Sequence, residues 1–315
     1  MTAIGIQIPD FSFARDDPAR LFPATVAIAR TAEQAGFSSL WVMDHFHQIV
    51  PLSTPADPMP EGYTLLAGLA ASTTTIELGT LVTGVTYRNP ALLAKIVTTL
   101  DVVSGGRAWL GVGASWNESE YRAYGFGEDL PGTRERLDRL EDALRIARAM
   151  FAGPATLRGH RIAVADAHNS PAPVRPGGPP IMIGGNGRRR LLRLVARYGD
   201  ACNVFGSPAD VRDLMSVLDA HCAEVGRDPA EIHRTRLGGI LVAESEAEAR
   251  RRADAGGFTG SWGDNLFLGT PEQVREKAQA YIDAGLDGLL VFSAAGGWTP
   301  EDVAAAGEAL APLTA

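Results

Sequence analysis

Cysteine is nearly absent from this chain of 315 residues, which carries only Cys202 and Cys222. No CxxC or Cys/His cluster stands beside either one, so a disulfide framework and a zinc-ribbon site are both excluded. Cys202 sits in an expected strand and Cys222 in the apolar series Val211, Leu214, Leu218, Cys222, Val225, so both read as small core residues. Long apolar runs are missing too, none reaching the ~18 residues that a membrane span needs. The opening MTAIGIQIPDF has no basic segment ahead of an apolar run, and a cytoplasmic protein without membrane attachment is expected. No block of lysine and arginine tracks phosphates. With a net charge of −8 and a pI near 5.3, the chain is not expected to bind nucleic acid. Arg188-Arg189-Arg190 is the nearest approach to such a block, and it reads either as the solvated first turn of a helix or as a phosphate contact.

What is present is a 45% hydrophobic chain in which strand and helix signals alternate. Strands are expected at Ile4 to Ile8, Ser39 to Met43, Ile76 to Val82, Arg107 to Gly111, Ile181 to Ile183, Ala201 to Val204, Leu237 to Val242 and Gly288 to Val291. Helices fall between them, at Leu21 to Gly36, Tyr63 to Thr74 and Pro90 to Ser104. The clearest carries Leu137, Leu140, Leu144, Ala147 and Phe151 at steps of three and four. Asn89-Pro90, Ser207-Pro208 and Thr270-Pro271 each place a capping side chain before a proline. Thr270 with Gln273 also fits the capping box.

Eight strands separated by helical spacers imply parallel pairing, and eight near-equal units favour closure into a (β/α)8 TIM barrel over an open doubly wound sheet. Residues 1–315 are expected to form one domain of the α/β class, with insertions after helix four and before the last helix pair. The first, about 153–180, is proline-rich with a hairpin around Arg158-Gly159 and is expected to cross the top of the barrel. The second, about 243–270, holds an acidic-basic helix and a glycine-rich run. That run reads as a mobile lid or an irregular surface loop, and as a lid it would bring Phe258 or Trp262 to the substrate.

Barrel enzymes keep their chemistry at the C-terminal ends of the strands. Strand two ends in Asp44, His45 and His47, and two imidazoles and a carboxylate at a buried strand end are costly unless used. Strand three runs through Leu81-Val82-Thr83 into a loop without charge until Arg88. Strand four ends in Gly111-Val-Gly-Ala-Ser-Trp-Asn117. Strand five ends in Gly184-Gly185-Asn186-Gly187, where glycines allow backbone N–H groups to approach an anion and the next helix adds partial positive charge. The set suits a flat, phosphate-bearing cofactor. The rival reading is a metal-dependent hydrolase, because His45-x-His47 looks like half a metal site. The other strand ends offer no further ligands, His160, His168, His221 and His233 lie elsewhere, and no metal is expected. No GxSxG elbow for serine hydrolysis is present.

Together, Ala35-Gly-Phe-Ser-Ser-Leu-Trp-Val-Met-Asp-His-Phe-His47, Leu78-Gly-Thr-Leu-Val82, Tyr87-Arg-Asn-Pro90, Gly105-Gly-Arg107, Gly111 to Glu118, Ile183-Gly-Gly-Asn-Gly187 and Gly269-Thr-Pro-Glu-Gln273 resemble the luciferase-like monooxygenase superfamily. The resemblance is nearest to its actinobacterial branch that uses the deazaflavin coenzyme F420. It implies an oxidoreductase passing a hydride between F420 and a small organic substrate, with His45 and Asp44 as catalytic residues at the ring. It further implies a non-proline cis peptide at Leu81-Val82 against the ring, hydrogen bonds from Thr83 and Asn117, and a phosphate-binding turn at Asn186, Gly187, Arg188 and Arg189. Relatives that oxidise phosphorylated glucose carry a glutamate after strand four. Here the aligned place is near Trp116, so Trp116 and His47 are expected to wall a flat or apolar substrate. The alternatives implied are an FMN-dependent monooxygenase fed by a separate reductase and a barrel that binds coenzyme without catalysis. A homodimer is also implied.

Overall fold

The structure, a computed structural model, describes residues 2–50, 52–257 and 259–314. The barrel strands are β1 (Ala3–Ile8), β2 (Ser39–Val42), β3 (Glu77–Thr80), β4 (Ala108–Gly113), β5 (Ile181–Gly184), β6 (Ala201–Val204), β7 (His233–Val242) and β8 (Gly288–Ser293). All pair in parallel in chain order. Pairing of β8 with β1, Ala3 opposite Gly288, closes the ring. The expected (β/α)8 barrel is therefore the observed fold.

The surrounding helices are α1 (Leu21–Gln34), α2 (Gly62–Ser72), α3 (Pro90–Ser104), α4 (Thr133–Ala152), α5 (Leu191–Tyr198), α6 (Pro208–Val225), α7 (Pro271–Ile282) and α8 (Pro300–Leu310). Each of the three expected proline caps is built. Asn89 accepts from Ala91 N–H, while Ser207 with Asp210 and Thr270 with Gln273 form reciprocal capping boxes. The large apolar cluster lies between strands and helices. A smaller one fills the barrel, where Trp41 and Trp109 meet edge-on at 5.9 Å. Gly79 makes room for them, since a Cβ there would sit 2.6 Å from the Trp41 ring, and a Cβ at Gly111 would sit 1.8 Å from the Thr80 carbonyl oxygen. Cys202 and Cys222 are buried in the large cluster, and burial pushes the Cys202 thiol up to about 12.

Two expectations needed correction. The strand expected over Ile76 to Val82 stops at Thr80 and resumes as the two-residue strand Thr83–Gly84, with the cis Leu81-Val82 peptide bond lying between the two. The insertion 153–180 does not cross the top of the barrel. It leaves the C-terminus of α4, at the opposite face, and forms an antiparallel hairpin of Ala155–Arg158 with Ala163–Ala167. The buried carboxylate of Asp142 accepts the N–H groups of His160, Arg161 and Ile162, and Asp101 at the end of α3 holds Val174 and Arg175. In the second insertion a helix, Glu246–Ala255, precedes the strand Phe267–Gly269, which pairs with the end of β7. Among the described residues no helix is long and apolar enough to cross a membrane.

Candidate active site

The C-terminal mouth of the barrel holds two adjoining chambers. The first, about 320 Å³, lies among Asp44, His45, Leu81, Val82, Thr83, Gly113, Gly184 and Gly185. The second, about 290 Å³, is walled by Met43, Ile49, Leu52, Trp116, Trp262 and Phe292. His45, Leu81, Trp116, Phe205 and Leu237 line both.

His45 leaves β2 and points its Nδ1 at Glu120, 2.8 Å from Oε2. Glu120 is fully buried in the short helix Glu118–Ala123, and Tyr87 Oη donates to the same oxygen at 2.5 Å. Its other oxygen accepts the Phe46 N–H and, at 3.4 Å, the His47 N–H. Burial, the largest single influence, drives the Glu120 pKa up. The bonds from His45, Tyr87 and Phe46 together outweigh it and hold the carboxyl below its ordinary range. An ionised Glu120 accepts a hydrogen bond from Nδ1–H, which fixes the tautomer and leaves Nε2 as the imidazole's free edge. Trp116, more than half exposed, packs edge-on to the imidazole at 5.6 Å.

Asp44 is buried beside it and paired to Arg88 Nη1 at 2.7 Å, while Arg88 Nη2 reaches Glu61 at 2.6 Å. Arg88 also lies over the ring of Tyr63 at 5.0 Å. Desolvation raises the Asp44 pKa against the pull of Arg88. Its Oδ1 has no partner among the described residues.

Behind the cis bond, Gln7 Nε2 donates to the Leu81 carbonyl at 3.1 Å. Thr83 Oγ1 closes a buried hydroxyl chain with Tyr63 Oη at 2.6 Å and Thr80 Oγ1 at 2.7 Å. Val82 spreads across Gly113 and Gly184. A Cβ on these would lie 2.7 Å and 3.0 Å from its methyl groups, so the glycines make room for Val82, and the first chamber is a slot lined by all three.

At the turn after β5, Asn186 bonds both ways to the Phe205 backbone, at 2.8 and 2.9 Å, stitching this turn to the end of β6. The backbone N–H groups of Asn186, Gly187 and Arg188 have no acceptor among the described residues. Arg188 is paired with Asp213, Arg189 is exposed, and α5 begins only at Leu191. The arginine run is thus a turn ahead of the helix rather than its first turn.

Two expected site residues stand elsewhere. Asn117 lies outside the chamber walls because its Oδ1 caps the helix Glu118–Ala123, accepting from Glu120 N–H at 3.3 Å and Ser119 Oγ at 2.8 Å. His47 turns away to the Gln48 carbonyl, 2.9 Å from Nδ1, and lines neither chamber. Phe258 lies outside the described residues, whereas Trp262 packs on Phe292 at 4.8 Å. The half metal site finds no complement: among the described residues no three His, Cys, Asp or Glu groups gather in metal-binding geometry. Glu120, Tyr87 and Arg88 were not foreseen as site residues. Asn117-x-x-Glu120 has capping-box spacing, which signals a helix start and conceals a buried acid.

A closed parallel barrel with a two-chambered mouth at its strand ends defines a TIM barrel. The chain belongs to the luciferase-like monooxygenase family, whose model matches residues 2–263. It is 30% identical over 246 residues to an F420-dependent hydroxymycolic acid dehydrogenase of Mycobacterium tuberculosis, covering 74% of this chain and 63% of that protein. To the 5,10-methylenetetrahydromethanopterin reductase of Archaeoglobus fulgidus it is 29% identical over 225 residues, 71% of this chain and 62% of the other. This chain thus spans less than two thirds of the length of these relatives. Among solved structures, an F420-dependent secondary alcohol dehydrogenase in complex with an F420-acetone adduct aligns with TM-score 0.82 and 20% identity, covering 98% of this chain and 99% of the other. A monooxygenase from Streptomyces bottropensis aligns with TM-score 0.84 and 20% identity, covering 99% and 100%.

Proposed function

We propose that the barrel mouth binds the deazaflavin coenzyme F420 and that the protein is an oxidoreductase passing a hydride between F420 and a small, largely apolar substrate. One observation carries this: His45, held by the buried Glu120, presents an imidazole edge on the wall shared by a glycine-lined chamber and an apolar one. Relatives named as F420-dependent dehydrogenases and reductases give the same direction.

The residues present suit the coenzyme. The slot over Val82, bounded by Gly113 and Gly184, takes a planar ring, and the orphaned Asp44 Oδ1 offers a polar atom at its edge. The unpartnered amides of Asn186 to Arg188 suit a phosphate. Bound there, a deazaflavin supplies or accepts a hydride at its central ring carbon. His45 Nε2 would take the substrate hydroxyl proton in oxidation, with Glu120 stabilising the imidazolium that forms, and in reduction that imidazolium would give the proton to the substrate oxygen. Trp262 and Phe292 give the second chamber an apolar wall that would limit water at the reacting face.

The test is anaerobic. Protein, coenzyme and a panel of small secondary alcohols and ketones, followed at the coenzyme absorbance, are expected to turn over without oxygen. Turnover that instead requires oxygen and reduced FMN, delivered by a separate reductase, would replace this reading with the monooxygenase one.

A further inference from the structure

A third cavity, about 540 Å³, opens beside the turn after β5, beyond Phe205 and Trp262, which also line the second chamber. One of its walls is Arg236, whose neighbour Leu237 on β7 faces the two chambers inside the barrel. Arg236 is 1% exposed. Its guanidinium is stacked 4.1 Å from the Tyr281 ring centre and 5.2 Å from that of Phe267. Gly238 makes room for it, since a Cβ there would lie 2.9 Å from Nη1. Nη2 donates to the Asn265 carbonyl at 3.2 Å, but Nε and Nη1 have no partner among the described residues.

A buried guanidinium with no carboxylate partner among the described residues is costly, and ring stacking recovers only part of that cost. Two acids line the same cavity, and each is engaged. Asp210 accepts from Ser207 N–H at 2.9 Å and Ser207 Oγ at 2.6 Å as a helix cap, and Asp213 is paired with Arg188. Arg236, on the wall of this cavity, is therefore a cation with two donor nitrogens unpartnered among the described residues.

We infer that this cavity is an anion subsite in which Arg236 receives a carboxylate or phosphate. Its position next to the unpartnered amides of Asn186 to Arg188 makes the acidic tail of the bound coenzyme one source of that group, and a free anion or an acidic substrate the other. The coenzyme source rests on the deazaflavin reading above, whereas the anion chemistry does not.

Fluorescence titration separates the sources. In one arm, F420 with its phosphate and glutamate tail is compared with the tail-less deazariboflavin core. Arg236→Met is expected to weaken F420 ~10-fold, as for loss of a charge-assisted bond, and to leave the core within ~2-fold. Asn265→Asp, isosteric and adding a negative charge beside Arg236, is expected to weaken F420 several-fold and spare the core, and it serves if Arg236→Met does not fold. In the other arm, inorganic phosphate and glutarate are titrated into the protein without coenzyme, and binding lost in either variant assigns the subsite to a free or substrate-borne anion. The inference is overturned if neither arm responds to the variants, or if they weaken F420 and the core equally. Failure of the wild type to bind either deazaflavin would instead defeat the coenzyme reading and leave the anion arm to decide.

Discussion

His45 and Glu120 are 75 residues apart in the chain and meet in one buried bond. That separation explains what could be read at the residue level. His45, Asp44, Leu81, Val82, Trp116, Gly184 and Gly185 sit at strand ends, where position alone marks them, and all line the first chamber. Glu120 is placed by a partner no local pattern names, and His47 lost its expected place to a backbone carbonyl one residue away. The division of labour is testable. His45→Ala is expected to lower turnover by ~10²- to 10⁴-fold with coenzyme affinity unchanged, as for loss of a proton-transfer group. Glu120→Gln keeps the shape and one acceptor but removes the charge. It should reduce kcat ~10-fold or more while KM and coenzyme Kd stay within ~2-fold, a split that a merely structural role would not produce. Full activity in either variant would remove the proton-transfer assignment.

At the scale of elements, local chemistry was legible wherever it sufficed. The caps at Asn89, Ser207 and Thr270, each followed by a proline, start helices where they are expected. The course of 153–180 was not, because it depends on Asp142 and Asp101, acids on helices far from the hairpin. Wall spacing makes a sharp prediction. Gly111→Ala would drive a Cβ into the Thr80 carbonyl oxygen between β3 and β4, and a loss of more than ~3 kcal/mol in denaturant unfolding is expected, against the smaller cost of an ordinary overpacked site. Another concerns the junction of α1 with the start of β3. Glu33 Oε1 accepts the N–H groups of Thr74 at 2.8 Å, Thr75 and Ile76 at 3.0 Å. Burial pushes its pKa up, yet these bonds win and bring it from 4.5 down to about 2. A depressed carboxylate stabilises the fold above its unfolded value, and that stability drains away as pH falls through the folded one. Wild type should therefore exceed Glu33→Gln in thermal stability above pH 4.5, by a margin that shrinks as pH falls from 4.5 towards 2. A margin independent of pH would show that the carboxylate charge is not what clips the turn.

For the whole molecule, eight repeats of strand and helix were enough to argue closure, because parallel pairing of near-equal units has few other solutions. The mouth is then assembled from loops that share no sequence neighbourhood, with one slot, one imidazole edge and one free set of amides brought to a single side. The measurement that tests this most directly is a titration of the pure protein with oxidised F420 and, separately, with FMN, followed by coenzyme fluorescence. Saturable binding of F420 with a Kd in the micromolar range or tighter, at least ~10-fold stronger than FMN, is the expected result. Tight FMN binding with no response to F420 would contradict it.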